Sequence, residues 1–309
     1  MTVDTTADTR LAALRELGLD WREAGQVSLR GPLGELAQNI DQAFVRLATA
    51  VWGAAPEWHP ASLPAERLQR VDYLHSFPHQ ATFPLRLDPD EANLDEFRAG
   101  PMVQADGTLA LTRLAPAREV LTPAACHHLY TAHEGDALSA PLYLTTRNTC
   151  FRHEAQYVPL RRQWSFSMRE IVCMGTAVEA ATFLEQARFV ADALLRRADL
   201  PVKWESATDP FFRPTQNPKY LIQRVQPIKH EAVYGGDLAI GSVNLHHEHF
   251  GEAFSITRNG APAHSACIAF GIERWLYAVT DAYGTDPASW PDFTAAADHA
   301  AASIPAELS

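Results

Sequence analysis

The sequence predicts an α+β domain, in which helices pack on a mostly antiparallel β-sheet. Two observations support this prediction. From about residue 140 onward, several segments alternate hydrophobic and polar residues with period two, as half-buried strands do. These segments outnumber the helical ones and adjoin through short turns, which is typical of antiparallel neighbours.

The first part of the chain is predicted to be mainly helical. Apolar residues recur at helical spacing over 7–18 and over 33–53, and the stretch QVSLRG between them is typical of a short strand. A loop that contains prolines leads into a further helix at 66–74. Residues 86–113 are polar and are expected to be irregular.

The second part is predicted to form the sheet. Strand-like alternation occurs at 141–147, 149–155, 164–175, 220–228, 237–245 and 253–256. The sequence GGD at 235–237 is a candidate hairpin turn. An apolar stripe over 177–199 predicts a strong helix, and a last long helix is expected to follow a strand directly within 268–284.

Composition limits the function classes. The chain has 309 residues, of which 47% are hydrophobic and 20% charged, which suffices for an ordinary buried core. The net charge of −11 disfavours a polyanionic partner such as RNA, since nucleic-acid affinity depends on neutralising phosphates. We find no signal peptide and no apolar run of about 20 residues, so a cytoplasmic protein without membrane contact is expected. The four widely spaced cysteines are then expected to be free thiols.

The segment 151–175 is unusually charged for a strand pair. Period-two alternation predicts that Arg152 and Glu154 lie on the same face. An arginine fork suits phosphate oxygens, a carboxylate accepts a hydrogen bond from an amine, and Phe166 offers a flat face for a base. These features favour a nucleotide site, and an exposed, salt-bridged hairpin is the alternative.

The same segment resembles motif 2 of the class II aminoacyl-tRNA synthetases, in the branch of the seryl enzymes. The family pattern runs CFRxE, a loop, then RxxxFxxxE, and the matching residues are Cys150, Phe151, Arg152, Glu154, Arg162, Phe166 and Glu170. SACIAFGIERW at 265–275 resembles motif 3, in which a strand runs into a helix. YLHSFPHQATF at 73–83, with Pro78, resembles the helix-to-strand passage of motif 1. The three motifs occur in the order of the family and together span most of the chain, from about residue 70 to about residue 280.

The resemblance implies a class II synthetase-like catalytic core with an ATP site on the antiparallel sheet. It implies that Arg152 contacts the α-phosphate, that Glu154 reads the adenine amine and that Phe166 stacks on the base. Arg274 is implied on the opposite adenine face or at the γ-phosphate. Arg162 is implied among the nucleotide contacts. Arg152 and Arg274 would then be the catalytic cations, together with Mg²⁺.

The resemblance defines the magnesium ligands and the amino acid contacts less closely than the ATP contacts. Ala239 stands near the place where relatives carry an acidic residue that helps to hold magnesium, so the magnesium ligands stay open, with Asp237 as a candidate. Asp209 and Lys229 are the candidate contacts to the amino acid substrate.

A subset of this branch binds zinc through a Cys/Glu/Cys set, and Cys126, Glu170 and Cys267 match that set by motif context. Two thiolates and a carboxylate suit Zn²⁺ and leave a fourth position for the free amine of an amino acid. Buried structural cysteines are the alternative. LHHEHFGE at 245–252 is a competing metal site, but adjacent residues on a strand face opposite ways.

The first 65 or so residues lack the long two-helix heptad pattern and the basic character of a tRNA-gripping arm. In this the chain resembles the small amino acid:[carrier protein] ligases, which activate an amino acid as its adenylate and pass it to a phosphopantetheine thiol. The resemblance implies a holo carrier protein as partner, no tRNA, a homodimer, and a small amino acid, with glycine or alanine favoured. Two alternatives stay open: an aminoacyl-tRNA ligase with an atypical tRNA-binding element, and a non-catalytic paralogue that binds ATP or an amino acid.

The chain is accordingly expected to form a single catalytic domain over 1–309. Residues 1–65 would be its helical N-terminal portion, and 66–293 the core with the three motifs. The helix predicted at 177–199 would be an insertion after motif 2, where the small ligases carry an extra helix that docks the carrier. An ordinary surface helix is the alternative.

Overall fold

The computed structural model describes residues 5–225 and 227–305. The α-helices there are α1 (Thr5–Glu16), α2 (Gly31–Trp52), α3 (Ala65–Arg70), α4 (Tyr73–Ser76), α5 (Glu91–Ala99), α6 (His127–Ala132), α7 (Ala177–Arg197), α8 (Pro218–Val225), α9 (His249–Phe254), α10 (Ile272–Tyr283) and α11 (Phe293–Ala302). The strands there are β1 (Leu19–Arg22), β2 (Gln26–Leu29), β3 (Ala55–Glu57), β4 (Ser62–Pro64), β5 (Glu119–Leu121), β6 (Ala137–Leu138), β7 (Leu142–Phe151), β8 (Ser165–Gly175), β9 (Val202–Ser206), β10 (Lys229–Tyr234), β11 (Leu238–His247), β12 (Thr257–Arg258), β13 (Ala261–Pro262) and β14 (His264–Gly271).

A seven-stranded sheet forms the centre of the described chain, in the order β3-β7-β8-β14-β11-β10-β9. Every neighbouring pair is antiparallel except β3 and β7, which run parallel. The predicted α+β class with an antiparallel sheet is therefore confirmed. The strands β7 and β8 pair over ten residues, from Leu142 with Met174 to Phe151 with Ser165, so the motif 2 segment forms a long hairpin as predicted.

One face of the sheet carries the larger hydrophobic core. Buried residues of α2, α7, α10 and α11 pack there against inward-facing residues of the central strands. Helix α2 shows why it lies on this face, because Leu33, Leu36, Ile40, Phe44 and Leu47 recur at helical spacing and are all buried. The stacked rings of Phe44 and Phe270, with centroids 3.8 Å apart, join the helix to β14.

The opposite face carries a second, smaller core under α3, α4, α6 and α9. Strand alternation divides the side chains between the two cores. Ile171 and Ile268 belong to the larger core, whereas their neighbours Val172 and Cys267 belong to the smaller one. Polar side chains that share a face with Cys267 therefore point away from the main helical layer.

The helix predicted at 177–199 is present as α7 and begins with a capping box. The Thr176 side chain accepts a hydrogen bond from the Glu179 backbone, and the Glu179 carboxylate accepts one from the Thr176 backbone. The turn predicted at 235–237 joins β10 to β11, with Gly235 and Gly236 both at positive φ. In the described residues no helix is long and apolar enough to cross a membrane.

Three predicted assignments of secondary structure are wrong. Residues 220–228, predicted as a strand, lie largely in helix α8, which begins at Pro218; the Asn217 side chain accepts the Lys219 backbone N–H at 2.9 Å. This is an Asn-Pro start signal, which outweighs the β-branched and aromatic content of the segment. The predicted strand at 253–256 falls at the end of α9, and the supposedly irregular stretch 86–113 contains α5, which Asp90 caps.

The predicted helix-to-strand passage at 73–83 is also wrong. It contains the single turn α4, and no strand follows over 77–86. A passage of that kind occurs instead from α2 into β3, which contains Pro56 and pairs with β7. Gly53 ends α2 in the left-handed region at φ 62° and turns the chain into the edge strand.

Candidate active site

The smaller core surrounds a cavity of about 600 Å³ above the sheet. All ten residues predicted for the site line it: Cys126, Arg152, Glu154, Arg162, Phe166, Glu170, Asp209, Lys229, Cys267 and Arg274. They come from loops, from the strands β8, β10 and β14 and from helix α10, so only the folded chain brings them together. A cavity with several convergent charged groups is the usual form of a small-molecule site.

The strand register explains how Glu170 and Cys267 meet. Glu170 on β8 pairs with Ala269 on β14, so Cys267, two residues along, lies on the same face as its diagonal neighbour. Cys126 arrives from the loop before α6, and its backbone N–H donates to the Glu170 carboxylate at 3.2 Å. The ligand atoms of Cys126, Glu170 and Cys267 all lie within 4.8 Å of one another, and all three residues are buried.

The pKa values of the two thiols in this Cys/Glu/Cys cluster shift in opposite directions. The hydrogen bond between the two thiols raises the pKa of Cys126 and lowers that of Cys267. Burial raises the pKa of Glu170 to about 7. The Cys267 sulfur accepts a hydrogen bond from the Asn244 amide at 3.4 Å and lies 3.6 Å from Nε2 of His246. Two soft donors and one carboxylate in this arrangement fit the donor set that Zn²⁺ prefers.

The other end of the cavity holds the motif 2 residues. Strand β7 ends at Phe151, so Arg152 and Glu154 lie in the loop beyond it, and not on alternating strand positions as predicted. Both nevertheless line the cavity. The Arg152 Nε donates to the Pro123 carbonyl at 3.0 Å, and its guanidinium carbon lies 5.3 Å from the centre of the Phe166 ring.

The remaining two arginines flank this end. Arg162 donates to the Glu154 carboxylate at 3.3 Å. Arg274, on the first turn of α10, donates through Nε to the Arg161 carbonyl at 3.0 Å and through Nη1 to the Ala239 carbonyl at 2.9 Å. Burial lowers the pKa of Arg274 to about 10, which leaves it charged at neutral pH. Arg274 is thus a partly buried cation in the cavity wall, held by two backbone carbonyls.

Asp209 and Lys229 form a third group. The Lys229 ammonium lies 2.9 Å from one Asp209 carboxylate oxygen and 3.2 Å from the Glu231 carboxylate. The other Asp209 oxygen accepts the Gln223 amide at 2.9 Å. Burial favours the uncharged forms of Asp209 and Lys229, but their mutual attraction lowers the pKa of Asp209 and raises that of Lys229. The pair is therefore ionised and orders this side of the cavity.

The competing histidine site at 245–252 does not form. His246 points to the Cys/Glu/Cys cluster, with Nδ1 3.1 Å from the Tyr130 hydroxyl, whereas His264 and Glu248 pair separately at 3.2 Å. In the described residues the Cys/Glu/Cys cluster is the one group of three potential metal ligands found. The candidate magnesium ligand Asp237 instead accepts a hydrogen bond from Arg161 at 2.7 Å, outside the cavity lining.

Several lining residues were not singled out from the sequence. Tyr73, Gln163 and Glu231 line the cavity, as does Asn244. Tyr73 and Gln163 are buried and carry side-chain atoms without a hydrogen-bond partner. The only sequence signal for Asn244 and Glu231 is a polar residue inside a strand that is otherwise apolar on one face, which does not identify a ligand by itself.

The chain is similar in sequence and fold to known proteins. No protein-family model matches the chain. The chain is 35% identical over 244 residues to amino acid--[acyl-carrier-protein] ligase 1 of Bradyrhizobium diazoefficiens, covering 75% of this chain and 72% of the relative. Ligase 2 of the same organism is 34% identical over 244 residues, which covers 75% and 71%.

A solved structure of the Methanopyrus kandleri SerRS, in complex with A. aeolicus tRNASec, matches with a TM-score of 0.76 at 20% identity, over 99% of this chain and 62% of that one. This likeness establishes the class II synthetase fold, and the two ligases establish the family. The predicted resemblance is confirmed: the chain belongs to the amino acid--[acyl-carrier-protein] ligase family.

Proposed function

We propose that this chain activates an amino acid with ATP as the aminoacyl-adenylate and transfers it to the phosphopantetheine thiol of a carrier protein. The observation that carries the proposal is the convergence of two chemically different groups on one cavity. Arginines and Phe166 line one end, and the Cys/Glu/Cys cluster lines the other. Family membership supports the same reaction, and strand β8 connects the two groups, because it carries both Phe166 and Glu170.

In this proposal the arginine end binds ATP with Mg²⁺. Phe166 stacks on the adenine, Glu154 accepts from its amine, and Arg152 contacts the α-phosphate. Arg162 and Arg274 neutralise the outer phosphates. The substrate carboxylate attacks the α-phosphorus as pyrophosphate leaves, so the protein mainly aligns two anions and offsets their charge. Burial of Arg274 strengthens its interaction with phosphate, because little water competes there.

The cluster end binds the amino acid. Cys126, Glu170 and Cys267 would hold Zn²⁺, which when bound supplies a positive charge and an open coordination position that suits a free amine. Asp209 and Lys229 order the wall beside it and contact the substrate. The rings of Tyr73, His127 and Phe250 pack next to Cys126, with Tyr73 and His127 centroids 5.6 Å apart and His127 and Phe250 centroids 5.8 Å apart. This crowding supports a small side chain, glycine or alanine.

A homodimer belongs to the same proposal. The segment 83–114 exposes an unusual set of apolar side chains, namely Phe83, Leu85, Leu94, Met102, Val103, Leu109, Leu111 and Leu114. Trp58, directly after the edge strand β3, is 90% exposed. Apolar exposure on this scale marks an interaction surface, and a second copy of the chain is the partner that the class II fold resemblance implies.

The experiment is amino acid-dependent exchange of pyrophosphate into ATP, across a panel of α- and β-amino acids, on protein with measured zinc content. We expect exchange with one small amino acid and about one zinc per chain. Arg152→Lys keeps the charge but loses the planar fork, and should lower exchange by about a hundredfold. Arg46→Lys, which alters an exposed pair with Asp298, is the matched control. Zinc-loaded, folded protein without exchange on any amino acid would refute the proposed function.

A further inference from the structure

The cavity contains polar atoms that the protein itself leaves unpaired. In the described part of the chain, four buried side-chain N or O atoms have no hydrogen-bond partner, and three of them belong to cavity-lining residues. These are the Tyr73 hydroxyl, Nδ1 of His127 and Nε2 of Gln163. Because an unpaired buried polar group lowers stability, such groups call for an explanation, and a ligand that supplies the missing partner provides one.

Tyr73 is held in place by its ring contacts. Its side chain is buried, and its ring packs against Phe77 and edge-on against His127, with centroids 5.0 and 5.6 Å away. The residue before it, Asp72, adopts the left-handed region at φ 58°. Hydrogen bonds from Ser76 and Lys219 to the Asp72 carboxylate, both 3.0 Å long, hold this sparsely populated conformation. Tyr73 is therefore held in the cavity wall, with its hydroxyl buried, next to a turn that two hydrogen bonds support.

Tyr73 lines the same cavity as Arg152 and Asp209. The pKa of Tyr73 is raised to about 12, mainly by burial. The positive charge of Arg152 opposes this increase, and the negative charge of Asp209 adds to it. At neutral pH the group is consequently a protonated hydrogen-bond donor. Asp209 already has partners on both oxygens, Lys229 and Gln223, and Nε of Arg152 is engaged by the Pro123 carbonyl.

The chemistry of an amino acid fits this arrangement. With the amine at the cluster end, as in the proposed function, the carboxyl group would extend toward Arg152, which lines the same cavity. We propose that the Tyr73 hydroxyl donates a hydrogen bond to one oxygen of the substrate carboxyl group, an inference that rests on the proposed function. The other oxygen forms the new bond to the α-phosphorus as the bond to pyrophosphate breaks. The oxygen held by Tyr73 becomes the acyl carbonyl of the adenylate, and the tyrosine keeps its proton throughout.

Tyr73→Phe tests this assignment, because it removes the hydroxyl and keeps the ring contacts. The matched control is Tyr234→Phe, which removes a hydroxyl that donates to Asp281 at 2.8 Å away from the cavity lining. The probe is an unreactive glycyl or alanyl sulfamoyl analogue of the adenylate, with binding measured by calorimetry. We expect Tyr73→Phe to weaken analogue binding about tenfold and to leave binding of ATP alone unchanged.

Stability distinguishes this role from a structural one. Since the hydroxyl is unpaired in the free protein, Tyr73→Phe should leave the thermal unfolding midpoint unchanged or raise it, whereas Tyr234→Phe should lower it. Wild-type analogue affinity in Tyr73→Phe would overturn the assignment. So would a changed ranking of amino acids with unchanged affinity for the glycyl analogue, because Tyr73 would then contact the substrate side chain. Failure of the wild-type chain to bind any analogue would overturn the proposed function itself, and the Tyr73 assignment with it.

Discussion

At the scale of residues, the buried thiols fall into two kinds. Cys126 and Cys267 share a hydrogen bond beside Glu170, whereas Cys150 and Cys173 are buried without a nearby ligand set. Burial raises the pKa of Cys150 and, to about 12, that of Cys173, which keeps both as neutral thiols. The same residue type thus serves as a small apolar side chain in one place and as a candidate ligand in the other.

This difference predicts metal content. Cys126→Ala and Cys267→Ala should each lose zinc and lower amino acid-dependent exchange together, because two protein ligands do not hold the ion. Cys150→Ala is the control and should retain both. Elemental analysis of purified, folded variants measures the zinc. Full zinc in either cluster variant, or its equal loss in Cys150→Ala, would contradict the assignment of ligands.

Sequence predicted these residues through motif context and not through spacing. The three cluster residues come from a loop and two strands, and only the register of β8 with β14 brings two of them together. Tyr73 and Gln163 could not be found in this way. Each carries a buried side-chain atom without a hydrogen-bond partner. This property can be recognised only in the folded structure.

At the scale of elements, one buried ion pair fastens the main helix layer to the motif 2 strand. Arg169 on β8 donates two hydrogen bonds to Asp41 on α2, at 2.8 and 2.9 Å. Both side chains are largely buried, at 8% and 13% exposure. Arg169 adjoins Glu170 in sequence but points to the opposite face of the sheet, so the pair fixes the strand that positions the cluster.

Removing one partner should therefore be costly. Asp41→Asn leaves the Arg169 charge buried without its carboxylate and should lower the free energy of unfolding by about 3 kcal/mol. The control Asp298→Asn breaks an exposed pair with Arg46 and should change it by less than about 1 kcal/mol. Urea unfolding measures both. Equal effects of the two substitutions would show that the buried pair does not fasten α2 to the sheet.

A second link joins the edge strand β3 to the end of α6 and depends on pH. Burial lowers the pKa of His133, but hydrogen bonds to Glu57 at 2.9 Å and Asp136 at 2.8 Å outweigh it, so the pKa is raised overall. The folded state therefore binds the proton more tightly than the unfolded state does. The resulting stabilisation is fully present below the ordinary histidine value of 6.5 and disappears as pH rises through the folded-state pKa.

The stability difference between wild type and His133→Gln should accordingly shrink from about pH 6 to about pH 9. Urea unfolding at both pH values gives that difference. A difference that is constant or that grows with pH would show that the Glu57 and Asp136 contacts do not favour the protonated imidazole.

Helices and strands with strong local sequence patterns were predicted correctly, and those with weak patterns were missed. Helices α2 and α7 were predicted from long apolar stripes, and β8 and β11 from alternation. Helix α8 was missed because its segment contains strand-favouring residues, and its Asn217-Pro218 start is a short signal. The break between α3 and α4 was not predicted either. Asp72 adopts a positive φ there, and its carboxylate accepts a local hydrogen bond from Ser76 and a long-range one from Lys219.

At the scale of the whole molecule, the two faces of the sheet differ in role: one carries the larger hydrophobic core and the other carries the cavity. The larger core on one face contains the long helices, and the smaller core on the other leaves room for the cavity. Unpaired polar atoms concentrate on the cavity side, as expected when a site is organised for a ligand at some expense of stability. From the net charge of −11 we expect weak binding of the polyanion tRNA.

The most direct test of the central claim is loading of a carrier protein, followed by intact mass. The chain would be incubated with ATP, glycine or alanine, and a panel of acyl carrier proteins in holo and apo forms, with tRNA in a parallel reaction. We predict that a holo carrier gains the mass of one aminoacyl group, that hydroxylamine removes it as expected of a thioester, and that the apo form gains nothing. An enzyme that forms the adenylate but charges tRNA and no holo carrier would contradict the account.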